Sequence, residues 1–103
     1  MANFIINATA SGDTILVAAP STPGSFIRVI GYHLTTDAVV VATLKGGATT
    51  KDVCYATKVV GGGIVVPDSP DVGVFDCPAN TALILNLSGV ANVGGAGNYI
   101  IIP

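Results

Sequence analysis

Glycine and proline interrupt this chain at short intervals, and Val, Ile and Thr crowd the stretches between them. Thirteen Gly and six Pro stand among 103 residues. The longest stretch free of both, Tyr32 to Lys45, is itself rich in Thr and Val. Branched side chains lose rotamer freedom in a helix and pack well on a pleated strand. No window carries apolar residues at i, i+3, i+4 and i+7 clear of such breakers, so no helix is expected. The pattern predicts an all-β domain of eight or nine short strands, an antiparallel β-sandwich of jelly-roll-like form.

Strands are expected at Asn3 to Ala8, Thr14 to Ala19, Ser25 to Thr35 and Val39 to Lys45. Others are expected at Lys51 to Thr57, Lys58 to Val66, Gly73 to Asp76, Ala82 to Ser88 and Asn98 to Ile102. Pro20-Ser21-Thr22-Pro23-Gly24 is a strong turn signal, and Gly46-Gly47 closes the fourth strand. Pro67 to Asp71 and Val93 to Gly97 read as loops. The clusters Gly61 to Gly63 and Gly94 to Gly97 read as backbone that turns sharply or meets another chain closely. Residues 1–12 are expected to form an N-terminal arm or edge strand, with Ser11-Gly12 as a flexible break, and residues 13–103 a single β-sandwich domain.

Alternation separates strands with one wet face from strands with none. Leu83, Leu85 and Leu87 share a face opposite Ile84, Asn86 and Ser88, the mark of a half-buried strand. The third strand differs. Strict alternation puts Phe26, Arg28, Ile30, Tyr32 and Leu34 on one side and Ile27, Val29, Gly31 and His33 on the other. Both sides are then apolar, as at Ile100-Ile101-Ile102, which predicts a partner over the outer face.

Composition points the same way. Half of the residues are hydrophobic and a tenth charged, every acid is Asp, and the net charge is −2. Such a chain is too apolar for disorder. It lacks the basic face that nucleic-acid binding needs, since Arg28, Lys45, Lys51 and Lys58 are scattered. Three of these lie between 45 and 58 and are expected to guard strand edges. A folded monomer of this mass exposes roughly 5,300 Å², against roughly 15,000 Å² unfolded, which leaves little interior for so many apolar side chains. Oligomerisation, or docking on a larger apolar surface, is therefore expected. No apolar run approaches the roughly 20 residues of a spanning helix, and no export signal is expected from Met1-Ala2-Asn3-Phe4. Neither a membrane nor a nucleic acid is an expected partner.

The residues do not assemble into a catalytic set, and no enzyme activity, cofactor or metal is expected. His33 is the single histidine. A triad could be drawn with Ser25 or Ser88 and an Asp, but a structural or interface role fits a strand histidine better. Cys54 and Cys77 lack zinc spacing and are expected to be reduced. Asp68, Asp71 and Asp76 lack the oxygen spacing of a calcium loop and read as turn residues. Neither glycine cluster is a phosphate loop.

Several motifs recur in a fixed order. Ile27-Arg28-Val29-Ile30-Gly31-Tyr32 precedes the Val-rich segment Val39 to Gly47, and Gly61-Gly62-Gly63-Ile64 follows. Then come Phe75, the turn Pro78-Ala79-Asn80-Thr81, the Leu-alternating segment Ala82 to Ser88, and Val93-Gly94-Gly95 with Tyr99. Over residues 13–103 this order resembles a group of small all-β proteins encoded among tailed-bacteriophage structural genes. The turn before the Leu segment lacks the Gly-Glu pair common there. The resemblance implies a virion structural protein, most of all a head decoration or cement protein. Such a protein sits as a homotrimer on the capsid surface, bridges capsomers of the major capsid protein, and assembles in the host cytoplasm. A neck, tail or fibre-base component and a carbohydrate-binding β-sandwich module are the alternatives. The side chains expected at oligomer or capsid contacts are Phe4, Ile5, Ile6, Phe26, Arg28, Ile30, Tyr32, Tyr99 and Ile101. The segment Ala2 to Thr9 is a candidate arm for a neighbour's sheet edge.

Overall fold

A computed structural model describes residues 2–38, 40–54, 63–69 and 72–103, with the side chains of 50–54, 63 and 64 outside the description. The fold is all-β, in two antiparallel sheets. Among the described residues the strands are β1 (Ala2–Ala8), β2 (Gly12–Val17), β3 (Phe26–Thr36), β4 (Ala42–Gly46), β5 (Thr49–Cys54), β6 (Gly63–Val66), β7 (Phe75–Asp76), β8 (Leu83–Leu87) and β9 (Val93–Ile102). The first sheet has the order β1-β9-β3-β6, and β7 also pairs with β3. The second has the order β2-β8-β4-β5.

The pairings nest. β1 pairs with β9, β2 with β8, β3 with β6 and β7, and β4 with β5. A single long antiparallel ribbon rolled on itself gives such nesting. Further contacts, β9 with β3 and β8 with β4, close each sheet. The core lies between the sheets. Phe4, Ile6, Ile27, Val29, Tyr32, Leu34 and Val93 of the first sheet meet Ala42, Leu44, Leu83, Leu85 and Leu87 of the second. The alternation expected for β8 holds: Leu83, Leu85 and Leu87 are buried, and Ile84 and Asn86 are half-buried. Burying each leucine stabilises the fold by roughly 1.5–3 kcal/mol.

β3 corrects the strict alternation. Val29 lies opposite Tyr99 and Gly31 opposite Asn98, so Ile30 is an extra residue in a β-bulge. The bulge shifts the phase by one. Ile27 and Val29 before it, and Tyr32, Leu34 and Thr36 after it, all face the core. Phe26 and Arg28, then Gly31, His33 and Thr35, face out. The apparent two-sidedness of this strand was mostly one apolar face read across a bulge.

β9 corrects a second expectation. Val93 to Gly97 form the first half of a ten-residue strand between β1 and β3. The glycines there allow close approach within the chain. A Cβ on Gly97 would overlap the Phe4 ring and come within 2.7 Å of the Gly31 carbonyl oxygen. Gly61 and Gly62, with Tyr55 to Thr57 and the first part of the expected Lys58 to Val66 strand, lie outside the described residues. At one end two turns are fastened together. Asn80, in the left-handed region with φ 58°, donates through Nδ2 to the carbonyls of Pro20 and Thr22 at 2.9 and 2.8 Å. Its Oδ1 accepts from the Gly24 N–H at 3.0 Å.

Candidate functional site

The outer face of the first sheet is built from residues in register across four strands. Ile5 of β1 lies beside Ala96 of β9, Ala96 beside His33 of β3, and His33 beside Val65 of β6. Three strand spacings separate the ends of this row by about 14 Å. Those ends, Ile5 and Val65, are 70% and 75% exposed. The next row joins Asn3, Asn98 and Gly31. Gly31 and Ala96 leave room in the middle of the face beside His33 and Asn98, and Ile5 and Val65 stand at its margins.

The result is a depression of about 300 Å³, lined by Ile5, Asn3, Gly31, Ala96, Gly97 and Asn98 and walled by Val65, Pro67 and Asp68. The wall is anchored. Asn98 Nδ2 donates to Asp68 Oδ2 at 3.0 Å, and the Ser69 N–H donates to the Ile30 carbonyl at 2.9 Å. Gly31 makes the anchoring feasible: a Cβ there would overlap the Asp68 carboxylate and lie 2.9 Å from its Cα. At the far end of β3, Arg28 Nε donates to Asp76 Oδ1 at 2.7 Å and Nη2 to Oδ2 at 3.1 Å. This paired carboxylate raises the Arg28 pKa above its ordinary value. A second depression, lined by Asn7, Thr35, Asp37 and Asn92, lies at the other end of the face. There Asp37 accepts from the Asn92 backbone N–H at 2.8 Å and side-chain amide at 2.7 Å, which holds its carboxyl below the usual range.

The expected contact residues fall into two groups. Ile5 is open on the outer face, and Ile101 is 44% exposed at the end of β9. Phe26 and Arg28 are half-buried on the outer face, with the guanidinium over the Phe26 ring at 5.8 Å. Phe4, Ile6 and Tyr32 are buried in the chain's own core, Ile30 is buried at the bulge, and Tyr99 packs against the core beside Phe4. Val65 and Asn98 do not stand out in the sequence, and Asp68 reads there only as a turn residue. Their neighbourhood depends on β6 and β9 both flanking β3.

The chemically suggestive residues are spread apart. Ser25 and His33 sit eight positions apart on and beside β3, about 26 Å at the strand rise. The Ser25 hydroxyl donates to the Thr22 carbonyl at 2.6 Å, and Ser88 Oγ accepts from the Val41 N–H at 2.8 Å. Asp68 and Asp76 are engaged separately with Asn98 and Arg28, and Asp71 lies outside the described residues. No group of three metal-ligating side chains occurs among the described residues. Cys77 is buried, and the Cys54 side chain is outside the description. Lys45 does not guard an edge: it lies on β4, between β8 and β5, 3.4 Å from Asp13. Comparison with protein-family models, curated proteins and solved structures finds no match for this chain.

Proposed function

We propose that the chain is a virion structural protein, a capsid decoration or cement protein that docks on the head shell and bridges capsomers. The observation that carries this reading is the outer face of the first sheet, where exposed Ile5 and Val65 flank a depression that Gly31, Ala96, His33 and Asn98 line. Exposed apolar groups gathered on one face mark an interaction surface. The strand order supports a jelly-roll reading of the sandwich. Four nested antiparallel pairs divided between two sheets are what two interlocked Greek keys produce, and jelly rolls are common in viral capsid and lectin domains. That link is analogy at the level of the fold, and the motif order of the sequence adds to it. In this reading the chain acts as a homotrimer on the capsid surface, with the major capsid protein as partner. Neck, tail or fibre-base placement is the same structural role at another site of the particle.

Cryo-electron microscopy of the parent particle tests the proposal. Density for this fold on the head shell is the expected result. Density at the neck or tail moves the role to that site, and a particle without the chain overturns the reading.

The hydrogen-bonded Asp68 and Asn98 at the wall of the depression favour a second reading, a carbohydrate-binding module. Carboxylates and amides beside an apolar floor suit sugar hydroxyls. A glycan array in which the chain binds, and Asn98→Ala loses the signal, would favour it. Silence on the array removes it.

A further inference from the structure

A strand at the end of a sheet leaves one row of backbone N–H and C=O groups without a strand partner, and natural sheets guard such edges with charge, proline, bulges or short length. Three sheet ends follow this rule. β2 carries Asp13 and bulges at Leu16. β5 carries Lys51 and Asp52 and bulges at Lys51. β6 has four residues and runs into Pro67. β1 has none of these guards. Its seven residues include no charge and no proline, and they pair with β9 in unbroken register. Among the described residues β9 is its one strand neighbour.

The sequence of the strand indicates its partner. Ala2-Asn3-Phe4-Ile5-Ile6-Asn7-Ala8 reads almost alike in both directions about Ile5. Two copies laid antiparallel and centred on Ile5 set Ala2 opposite Ala8, Asn3 opposite Asn7, Phe4 opposite Ile6, and Ile5 opposite itself. Every cross-strand pair then matches in polarity on both faces, and such pairs are the unit of sheet stabilisation. Phe4 and Ile6 stay on the core side, and Asn3, Ile5 and Asn7 on the outer side. No ionisable side chain of the strand opposes the approach. The exposed Ile5 side chain gains a neighbour, its own copy. A two-fold contact of this kind is isologous, as most homodimer contacts are.

We infer that β1 pairs with β1 of a second copy, joining two first sheets into one continuous sheet about a dyad through Ile5. The inference rests on the proposed role as a self-assembling structural protein and adds the contact. Antiparallel neighbours in one sheet are related by a dyad normal to that sheet. Both copies therefore turn their depressions to the same side, which doubles the face offered to a shell. No strand exchange is required, because β1 stays on its own β9 and offers only its free edge. In combination with a three-fold assembly, the same dyad joins trimers in pairs.

Sedimentation equilibrium on the full chain tests this. The wild type should self-associate, and Ile5→Lys should weaken the association at least tenfold by setting two ammonium groups together on the dyad. Val65→Lys, at an equally exposed position of the same face on β6, should leave it unchanged. Three outcomes overturn the pairing: a wild type that stays monomeric, a folded Ile5→Lys that associates like the wild type, or equal loss in Val65→Lys. Should Ile5→Lys fail to fold, amide exchange on the wild type decides. Protection of the β1 amides facing away from β9 must rise with protein concentration, and its absence overturns the pairing. Particle binding separates this contact from the functional reading. A chain that associates through Ile5 yet belongs to no particle keeps the edge pairing and loses the virion role. A particle-bound chain indifferent to Ile5 does the reverse.

Discussion

On the outer face of the second sheet, Asp13 of β2 accepts from Asn86 Nδ2 of β8 at 2.7 Å and from Lys45 Nζ of β4 at 3.4 Å. On the outer face of the first sheet, the corresponding row runs Ile5, Ala96, His33 and Val65. Asp13 and Asn86 stand opposite one another, with Lys45 one row along opposite Ile84, and both faces lie over the same core. One ties its polar groups to one another, and among the described residues Ile15 is its large exposed apolar side chain. The other sets exposed aliphatic groups at its margins, with Ala96 and His33 between them. The contrast shows that apolar excess is not spread evenly over the molecule. A sandwich needs one apolar face per sheet, and the first sheet carries extra apolar surface on its outer side. A surface completed by its own hydrogen bonds gains little from a partner, whereas one with exposed isoleucine and valine does.

The largest test of this contrast changes one residue on each face. Gly31→Ala puts a methyl group into the Asp68 backbone and carboxylate. The Pro67 to Ser69 wall must shift, at a cost of about 1–3 kcal/mol. Thr43→Ala, on the outer side of β4, should stay within about 0.5 kcal/mol of the wild type. Urea unfolding of both variants measures the difference. Equal stabilities would mean that the wall does not bear on Gly31 and that the depression is looser than described.

The next test concerns docking. Val65→Asp places a charge among the exposed apolar groups of the first face, and Ile15→Asp places one on the second face. Both positions are well exposed, so both variants should melt within a few degrees of the wild type. Binding to particles that lack the chain should fall at least tenfold for Val65→Asp and less than twofold for Ile15→Asp. The opposite order would exchange the roles of the two faces.

How far these faces could be read in advance depended on the strand. In β8 the residues Leu83, Leu85 and Leu87 alternate with polar or half-buried ones, and period two identified the core side directly. In β3 it failed after Val29, because Ile30 is a branched residue like its neighbours and nothing in its chemistry marks a bulge. At Gly94 to Gly97 local preference favoured a loop, yet pairing on both sides with β1 and β3 makes a strand of it. Tertiary pairing outweighs propensity there. Ile5 could be singled out as an apolar residue of the first strand, but its exposure and its place in one row with Val65 could not. Sixty positions separate them, and the row exists only because the first strand pairs with the last.

The smallest effect tests whether the second face is held by its own hydrogen bonds. The amide of Asn86, and less strongly Lys45, lowers the Asp13 pKa below the ordinary aspartate value. A carboxyl with a lowered folded pKa stabilises the fold above its unfolded pKa, and that contribution is lost as pH falls through the folded value. Asn86→Ala removes the main cause while leaving Lys45 in place. Carbon-detected NMR titration should then show the Asp13 midpoint moving upward, toward the ordinary value. Asp37 is the internal control, since its lowered pKa comes from the Asn92 backbone and side-chain amides on another part of the molecule. Its midpoint should not move. Added salt should raise the Asp13 midpoint only slightly in the wild type, because a hydrogen bond from a neutral amide is not screened as an ion pair is. A large salt response would assign the effect to Lys45 instead, and the second face would then be held by charge rather than by its amide.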